Sequence, residues 1–289
     1  LEHDNERFIF KIYRKAYRTL DEIKGEAALI NILKQGGISV SYPILDLAGN
    51  HIQEFNAAEG IRYGILFTFA KRKVIPIPDD AQLAIIGRTI ARMHNITSTI
   101  ELPYERITYN TETTITKPLA LIKNRFSGLE QEYHFLKSLA EKLMEKLDQY
   151  DTYGSSYGYC HYDLLPKNFH FDEDNNITFF DFDWAGKGLL VNDLMTFFVQ
   201  LFFLVHFNAI TKEEADDKMA KVIAGYREVR ALPEEELALI PYLGIMFWIH
   251  AFGFYEQNCD DFATAFLTPR FIKERVSLIG KWVEWYCKF

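Results

Sequence analysis

Two short segments constrain this chain more than any others: His161-Tyr162-Asp163-Leu164-Leu165-Pro166-Lys167-Asn168 and, twelve residues further on, Phe180-Asp181-Phe182-Asp183. Asp163 and Asn168 stand five residues apart in a Pro-containing stretch, which lets both side chains point into one cleft. Between the segments, residues 169–171 and 177–180 are apolar enough for two short strands, and Asp172-Glu173-Asp174-Asn175-Asn176 supplies a turn. A hairpin of that kind folds back and returns Asp181 to the neighbourhood of Asp163 and Asn168. A fold for this chain therefore has to deliver three oxygen-bearing side chains to one place.

Phosphoryl transfer from a nucleoside triphosphate is mostly positioning and charge neutralisation. It needs a carboxylate beside the acceptor hydroxyl, oxygen ligands for a metal ion near the β- and γ-phosphates, and a cation on the α- and β-phosphates. Asp163 suits the first task, and Asn168 with Asp181 suits hard, octahedral Mg²⁺. An H-x-D-x-x-x-x-N loop followed by D-F-x is the kinase-type arrangement of these parts. Two linked motifs at compatible spacing outweigh the alternative of two polar turns around a hairpin. His161 reads as a brace for the loop rather than a base, and His170 as a plain strand residue. Asp183 reads as a second metal-proximal carboxylate or as an ordinary loop residue, and Asp193 and Cys160 as structural. The acidic turn at 172–176 is no calcium loop, because Ile177 stands where an EF-hand needs Gly.

The candidate for the phosphate-binding cation is Lys11, with Lys15 as a nearby competitor. Residues 7–13 alternate Phe8, Phe10 and Ile12 against Arg7, Ile9, Lys11 and Tyr13, a strand-like pattern. A glutamate on the next helix would fix the lysine head. Glu22 and Glu26 are both placed for this, one turn apart, and Glu26 is preferred as the deeper of the two.

Around these residues the chain changes character near position 70. Residues 1–70 form a small, sheet-rich region: strands over 7–13, 40–47 and 63–69, and a helix over 21–35 that Gly36-Gly37 stops. Asp4-Asn5-Glu6 reads as a hairpin turn, with Leu1-Glu2-His3 as the tail of a partner strand. A chain opening in mid-hairpin suggests earlier residues, a glycine-rich phosphate loop among them. Residues 71–80, with Pro76 and Pro78, read as a connector. Helices then follow over 81–95, 117–149 (one or two), 189–207, 212–230, 233–257 and 269–287, the last after the cap Thr268-Pro269.

Composition closes off several functions. A net charge of −8 and a pI near 5.6 exclude nucleic acid as the main partner. Three distant cysteines point to a reducing, cytoplasmic setting. The apolar stretch 189–207 is interrupted by Asn192, Asp193 and Gln200, so it reads as a buried helix and no membrane is implied. Residues 247–261 mix aromatics with Glu256, Asp260 and Asp261. That mixture could hold an ammonium group, but a core helix with an acidic end is the stronger reading.

These stretches resemble the aminoglycoside phosphotransferase and choline kinase-like family of the protein-kinase-like superfamily. Beside the two motif segments, residues 8–14 resemble its lysine strand and 87–94 a helix common there. Residues 65–70 resemble the strand entering its hinge, where Phe69 and Ala70 backbone groups would meet the nucleobase. The likeness spans about residues 7–194. It implies an α+β, bilobal fold: an N-lobe over 1–70 with a five-stranded sheet and one helix, and a large helical C-lobe over 71–289. The hinge would lie near 68–73. It also implies ATP, with GTP open, as the donor. Asp163 would orient or deprotonate the acceptor, Asn168 and Asp181 would hold Mg²⁺, and Lys11, held by Glu26, would bind phosphate. His161 and Asp183 would support them. Leu165 and Asp183 stand where protein Ser/Thr kinases usually carry Lys and Gly, which favours a small-molecule hydroxyl, such as that of an aminoglycoside or amino-alcohol. Tyr162 and Leu165 stand where many small-molecule relatives carry Gly and His, so the acceptor subgroup stays open. The alternatives are an atypical bacterial protein Ser/Thr kinase and a nucleotide-binding regulator without turnover.

Overall fold

The structure is a computed structural model that describes residues 1–3, 6–14, 17–58, 60–71, 74–148, 156–258 and 267–289. Two compact units emerge: Leu1–Ile107 with Gly158–Leu232, and Thr108–Tyr157 with Pro233–Phe289. The division expected near residue 70 falls inside the first unit.

The first unit begins with an antiparallel sheet whose strands are β1 (Glu2–His3), β2 (Glu6–Ile12), β3 (Ile52–Ala57) and β4 (Gly60–Thr68), in the order β1-β2-β4-β3. The sheet has four strands among the described residues, against the five that the resemblance implies. The strand expected over 40–47 reduces to isolated bridges, Val40 to Phe179 and Pro43 to Phe67. Pro43 has no N–H to give a ladder, so regular pairing stops there. The segment still runs along β4, with Ile44 N–H donating to Leu66 O and Thr68 N–H to Tyr42 O. β3 is absent from the sequence reading because Gln53, Glu54 and Asn56 hide its alternation. Helix α1 (Leu20–Gln35) starts at a capping box, in which Thr19 accepts from Glu22 N–H and Glu22 from Thr19 N–H. Its inward stripe is Ile23, Glu26, Ala27, Ile30 and Leu33. The proposed turn at Asp4-Asn5, the competitor Lys15, and the hinge residues Arg72 and Lys73 lie outside the described residues.

The rest of the first unit is helical apart from short strands. Helix α2 is Asp80–Thr97. The expected hairpin forms as β6 (Phe169–Phe171) and β7 (Ile177–Phe179), after β5 (Tyr157–Cys160). β8 (Gly186–Leu189) pairs with β5, and neither strand is legible in the sequence. Ser41 N–H donates to Phe179 O and Phe179 N–H to Ser39 O, which ties the hairpin to the segment beside the sheet. Helices α5 (Asn192–His206) and α6 (Lys212–Arg227) complete the unit. α2 and α6 approach closely: a Cβ on Gly87 would lie 2.0 Å from Val222 O, and one on Gly225 would lie 2.4 Å from Ala84 O.

The second unit contains α3 (Lys117–Ile122), α4 (Glu130–Asp148), α7 (Glu234–Gln257) and α8 (Pro269–Tyr286). Thr268 caps α8 as the sequence suggests, whereas Pro233 is the cap residue of α7 rather than its first helical residue. α7 is long and apolar enough to cross a membrane, yet 72% of its most apolar window is buried inside the protein. Phe247, Trp248, Ile249 and Phe252 are core residues, and Glu256 pairs with Arg125 at 2.7 Å. Asp260 and Asp261 lie outside the described residues.

Candidate active site

Lys11, Glu26, Asp163, Asn168 and Asp181 all belong to the first unit and form two hydrogen-bonded groups, Lys11 with Glu26 and Asp181, and Asn168 with Asp163. Lys11 Nζ donates to Glu26 Oε1 at 2.8 Å and lies 3.5 Å from both Asp181 Oδ1 and Asp183 Oδ1. Burial alone would lower the lysine pKa, but Glu26, Asp183 and Asp181 outweigh it and raise it, so the ammonium stays charged. Glu26 is 1% exposed, and Tyr13 OH donates to its other oxygen at 3.0 Å. Glu22, the alternative partner, is occupied at the start of α1 with Thr19 and Arg18.

Beside Lys11 lies a cavity of about 460 Å³, within the range of small-molecule sites. Ile9, Ile30, Phe67 and Phe69 give it apolar walls, and Ala70, His170, Phe180 and Asp181 also line it. The predicted Phe69 and Ala70 thus border this space. His170, read from the sequence as a plain strand residue, borders it as well. Its Nδ1 lies 2.9 Å from Ala70 O. A carbonyl can only accept, so Nδ1 carries the hydrogen.

The catalytic-type loop is held from several sides. Asn168 Nδ2 donates to Asp163 O at 2.8 Å and to Asp163 Oδ2 at 2.7 Å, and Lys167 Nζ lies 3.2 Å from that same oxygen. Burial raises the Asp163 pKa above the usual carboxylate value, against the opposing pull of Lys167, His161 and Asn168. His161 is buried, with Nε2 3.0 Å from Phe180 O, and its Nδ1 accepts from Asp163 N–H at 3.3 Å. One tautomer satisfies both bonds and joins the Asp163 loop to the residue before Asp181. Asp193, fully buried, accepts from His161 N–H at 3.0 Å and Tyr162 N–H at 2.7 Å. His94 Nε2 lies 3.0 Å from Asp193 Oδ2, and His94 Nδ1 lies 2.9 Å from Tyr226 OH. Tyr162 has φ 63°, a left-handed conformation that explains why glycine suits this position and that here is secured through its amide.

Asp181 and Asp183 differ sharply. The Asp181 side chain is 47% exposed beside the cavity, with φ 62° and ψ 59°. Asp183 is buried and engaged by cations: Arg18 Nε and Nη2 each lie 3.4 Å from its oxygens, and Tyr17 OH donates to it. Burial would raise its pKa, but Lys11 and Arg18, with the Tyr17 hydrogen bond, hold it well below the usual carboxylate range. Asp183, read from the sequence as a metal-proximal carboxylate or a loop residue, stands here in ion pairs with Lys11 and Arg18. Tyr17, Arg18 and Arg106 lie in no stretch that the sequence singles out, and each meets Asp183, between 77 and 166 positions away.

Residues 1–232 match the phosphotransferase enzyme family. The chain belongs to that family. An uncharacterized protein of Deinococcus radiodurans is 26% identical over 283 residues, covering 96% of this phosphotransferase and 79% of that protein. Amicoumacin kinase of Bacillus subtilis is 24% identical, covering 82% and 70% of the two chains. Among solved structures, a microcompartment-associated aminopropanol kinase superposes with a TM-score of 0.76 at 18% identity, covering 96% and 84%. An amicoumacin kinase in complex with AMP-PNP and Ca²⁺ gives 0.74 at 23%, covering 96% and 82%. These likenesses establish the kinase-like fold.

Proposed function

We propose that this phosphotransferase transfers the γ-phosphate of ATP, with Mg²⁺, to a hydroxyl of a small molecule that also carries an amine, and that it does so in the cytoplasm. The observation that supports the reading is that Lys11, Glu26 and Asp181 line one cavity, while the Asp163–Asn168 loop is tied through His161 to Phe180 O, the residue before Asp181, within the same compact unit. Relatives include kinases whose names specify homoserine and aminopropanol, both amino-alcohols. A net charge of −8 suits a cationic acceptor. In this reading residues 1–70 bind the nucleotide, and 71–289 supply the Asp163 loop and the acceptor-binding helices.

The donor set fits a hard cation. Asn168 commits its amide nitrogen to Asp163, which leaves its side-chain oxygen as a ligand, and Asp181 keeps a half-exposed carboxylate. Mg²⁺ is typically held by one or two such groups, with phosphate and water completing the shell. When bound, it neutralises charge on the β- and γ-phosphate oxygens. Lys11 places its ammonium on the α- and β-phosphates. Asp163 orients the acceptor hydroxyl and takes its proton as the hydroxyl oxygen bonds to the γ-phosphorus. The bond from that phosphorus to the β,γ-bridging oxygen breaks, and ADP leaves with the electron pair. Raised by burial, Asp163 is a better proton acceptor than an ordinary surface carboxylate.

ATP consumption across a panel of aminoglycosides, amino-alcohols, neutral sugars and serine peptides tests this, with Asp163→Asn as control. Transfer to an amine-bearing alcohol, lost in the control, supports the reading. Transfer to peptides alone, or turnover indifferent to Asp163→Asn, overturns it.

A further inference from the structure

Arg106 lies outside both motif segments, yet its guanidinium makes four hydrogen bonds, all to backbone carbonyls. Nε donates to Ala185 O at 2.7 Å, and Nη2 to Phe182 O at 3.0 Å and Asp183 O at 2.8 Å. Nη1 donates to Glu22 O at 2.9 Å. Three of these acceptors belong to the 3₁₀ turn directly after Asp181, and the fourth belongs to α1, one turn before Glu26. A planar, rigid fork of five donors suits this role, and a lysine point charge does not. Helix α1 leaves room for the stem: a Cβ on Gly25 would lie 2.8 Å from Arg106 Cδ.

The turn needs such a hold. Asp181 is a non-glycine residue at φ 62°, ψ 59°. A side chain held there is strained and persists only where the surroundings over-determine it. Arg18 secures the neighbouring Asp183, with Nη2 also donating to its carbonyl at 3.0 Å. Arg106 reaches further, because it spans the whole turn and links it to the helix that carries Glu26.

We propose that Arg106 is a positioning residue for the metal-binding carboxylate, an inference that rests on Asp181 being a metal ligand. Arg106 holds the 182–185 turn in the shape that keeps Asp181 left-handed and facing the cavity. Its bond to Glu22 O anchors the guanidinium to α1 and so fixes the point from which it holds the turn. Groups that orient metal ligands from behind typically change metal affinity about 10–100-fold when removed.

The test uses the full chain with Arg106→Met, Arg106→Lys and Gly25→Ala, the last displacing the Arg106 stem without removing its charge. Circular dichroism and thermal melting identify the folded variants. ATP binding is measured by calorimetry without divalent cation, and then the Mg²⁺ concentration that half-saturates ATP binding and turnover is determined. Arg106→Met should raise that concentration about 10–100-fold, with Arg106→Lys and Gly25→Ala in between, while metal-free ATP affinity stays within about twofold. The inference is overturned if folded variants keep the wild-type Mg²⁺ response, or if metal-free ATP binding falls by the same factor. Asp181→Asn, run in parallel, separates the two levels. An unchanged Mg²⁺ response there removes the metal-ligand reading itself, whereas a changed one beside an unmoved Arg106→Met removes Arg106 alone.

Discussion

The Lys11 ammonium donates to Glu26 Oε1 across 2.8 Å, linking strand β2 to helix α1. Tyr13, the residue directly after that strand, donates to Oε2 and places its ring 4.9 Å from the Lys11 nitrogen. The extended backbone keeps its two-residue period past the strand end, which puts Lys11 and Tyr13 on one face, so the carboxylate is gripped at both oxygens by residues two apart in the chain. Lys11→Met should lower kcat/KM for ATP by about 10²–10³, the scale of losing a charge-stabilising group. Tyr13→Phe removes a hydrogen bond to a charged acceptor, worth about 1.5–3 kcal/mol. It should lower kcat/KM by about tenfold, with the fold intact by circular dichroism. A Tyr13→Phe variant with wild-type kinetics would remove Tyr13 from the site.

Asp163→Asn should lose activity and gain stability. Removing a general base typically costs about 10²–10⁴ in rate. The folded-state pKa of Asp163 is raised by burial, so the ionised form is disfavoured by folding at neutral pH. A raised carboxylate pKa means that the folded state binds more protons than the unfolded one between the two values, and stability from this group rises as pH falls through that window. The variant should therefore melt a few degrees above wild type at pH 7, with the gap narrowing on acidification. A variant that melts lower at pH 7 would contradict this. Asp183 has the opposite sign. Its lowered pKa contributes stability above the ordinary aspartate value that is lost as pH falls toward its folded one.

Chelation of divalent cations should abolish turnover and leave the fold unchanged. Asn168→Ala and Asp181→Asn should each raise the Mg²⁺ needed for half-maximal rate, about tenfold or more, on the scale seen when metal ligation is perturbed. Turnover in excess chelator would rule out the assignment of both residues.

His170, which borders the cavity, offers a test of nucleobase choice. With Nδ1–H committed to Ala70 O, the ring's other nitrogen in the uncharged form is an acceptor, which matches the 6-amino group of adenine and opposes the 6-oxo group of guanine. His170→Leu should shrink the ATP-over-GTP ratio of kcat/KM about tenfold, the order of one lost discriminating hydrogen bond. An unchanged ratio would remove His170 from base selection.

Gly87→Ala tests the close approach of α2 and α6. The added methyl would meet backbone at 2.0 Å, at Val222 O, so the helices have to separate. Overpacking of this kind costs about 1–3 kcal/mol. The expected readout is a lower melting temperature, whereas an unchanged one would show that the interface relaxes freely.

The motif residues were legible because their relationships are short-range. Asp163 to Asn168 is a loop spacing, and a five-residue turn between aromatic runs brings Asp181 back. Lys11 followed from a strand pattern, whereas the next helix offered Glu22 and Glu26 one turn apart, with Glu26 preferred as the deeper. The strand over 52–57 was hidden by polar residues on an exposed sheet, and the one expected over 40–47 was cut short by Pro43. Asp183 was read by its neighbour Asp181, although its environment is set by Arg18 and Lys11, more than 160 positions earlier.

Sequence alone determined the family resemblance, the α+β class and the chemical parts, since backbone periodicity and turn chemistry act over a few residues and leave a local signature. Tertiary structure decided which glutamate pairs with Lys11, that Asp183 is ion-paired, that His170 borders the cavity, and which partners Tyr13, His94, Asp193 and Arg106 meet. Those contacts join segments that only packing brings together. A guanidinium that meets a carbonyl 77 residues away satisfies its donors in three dimensions and leaves no mark on the spacing of residues around it.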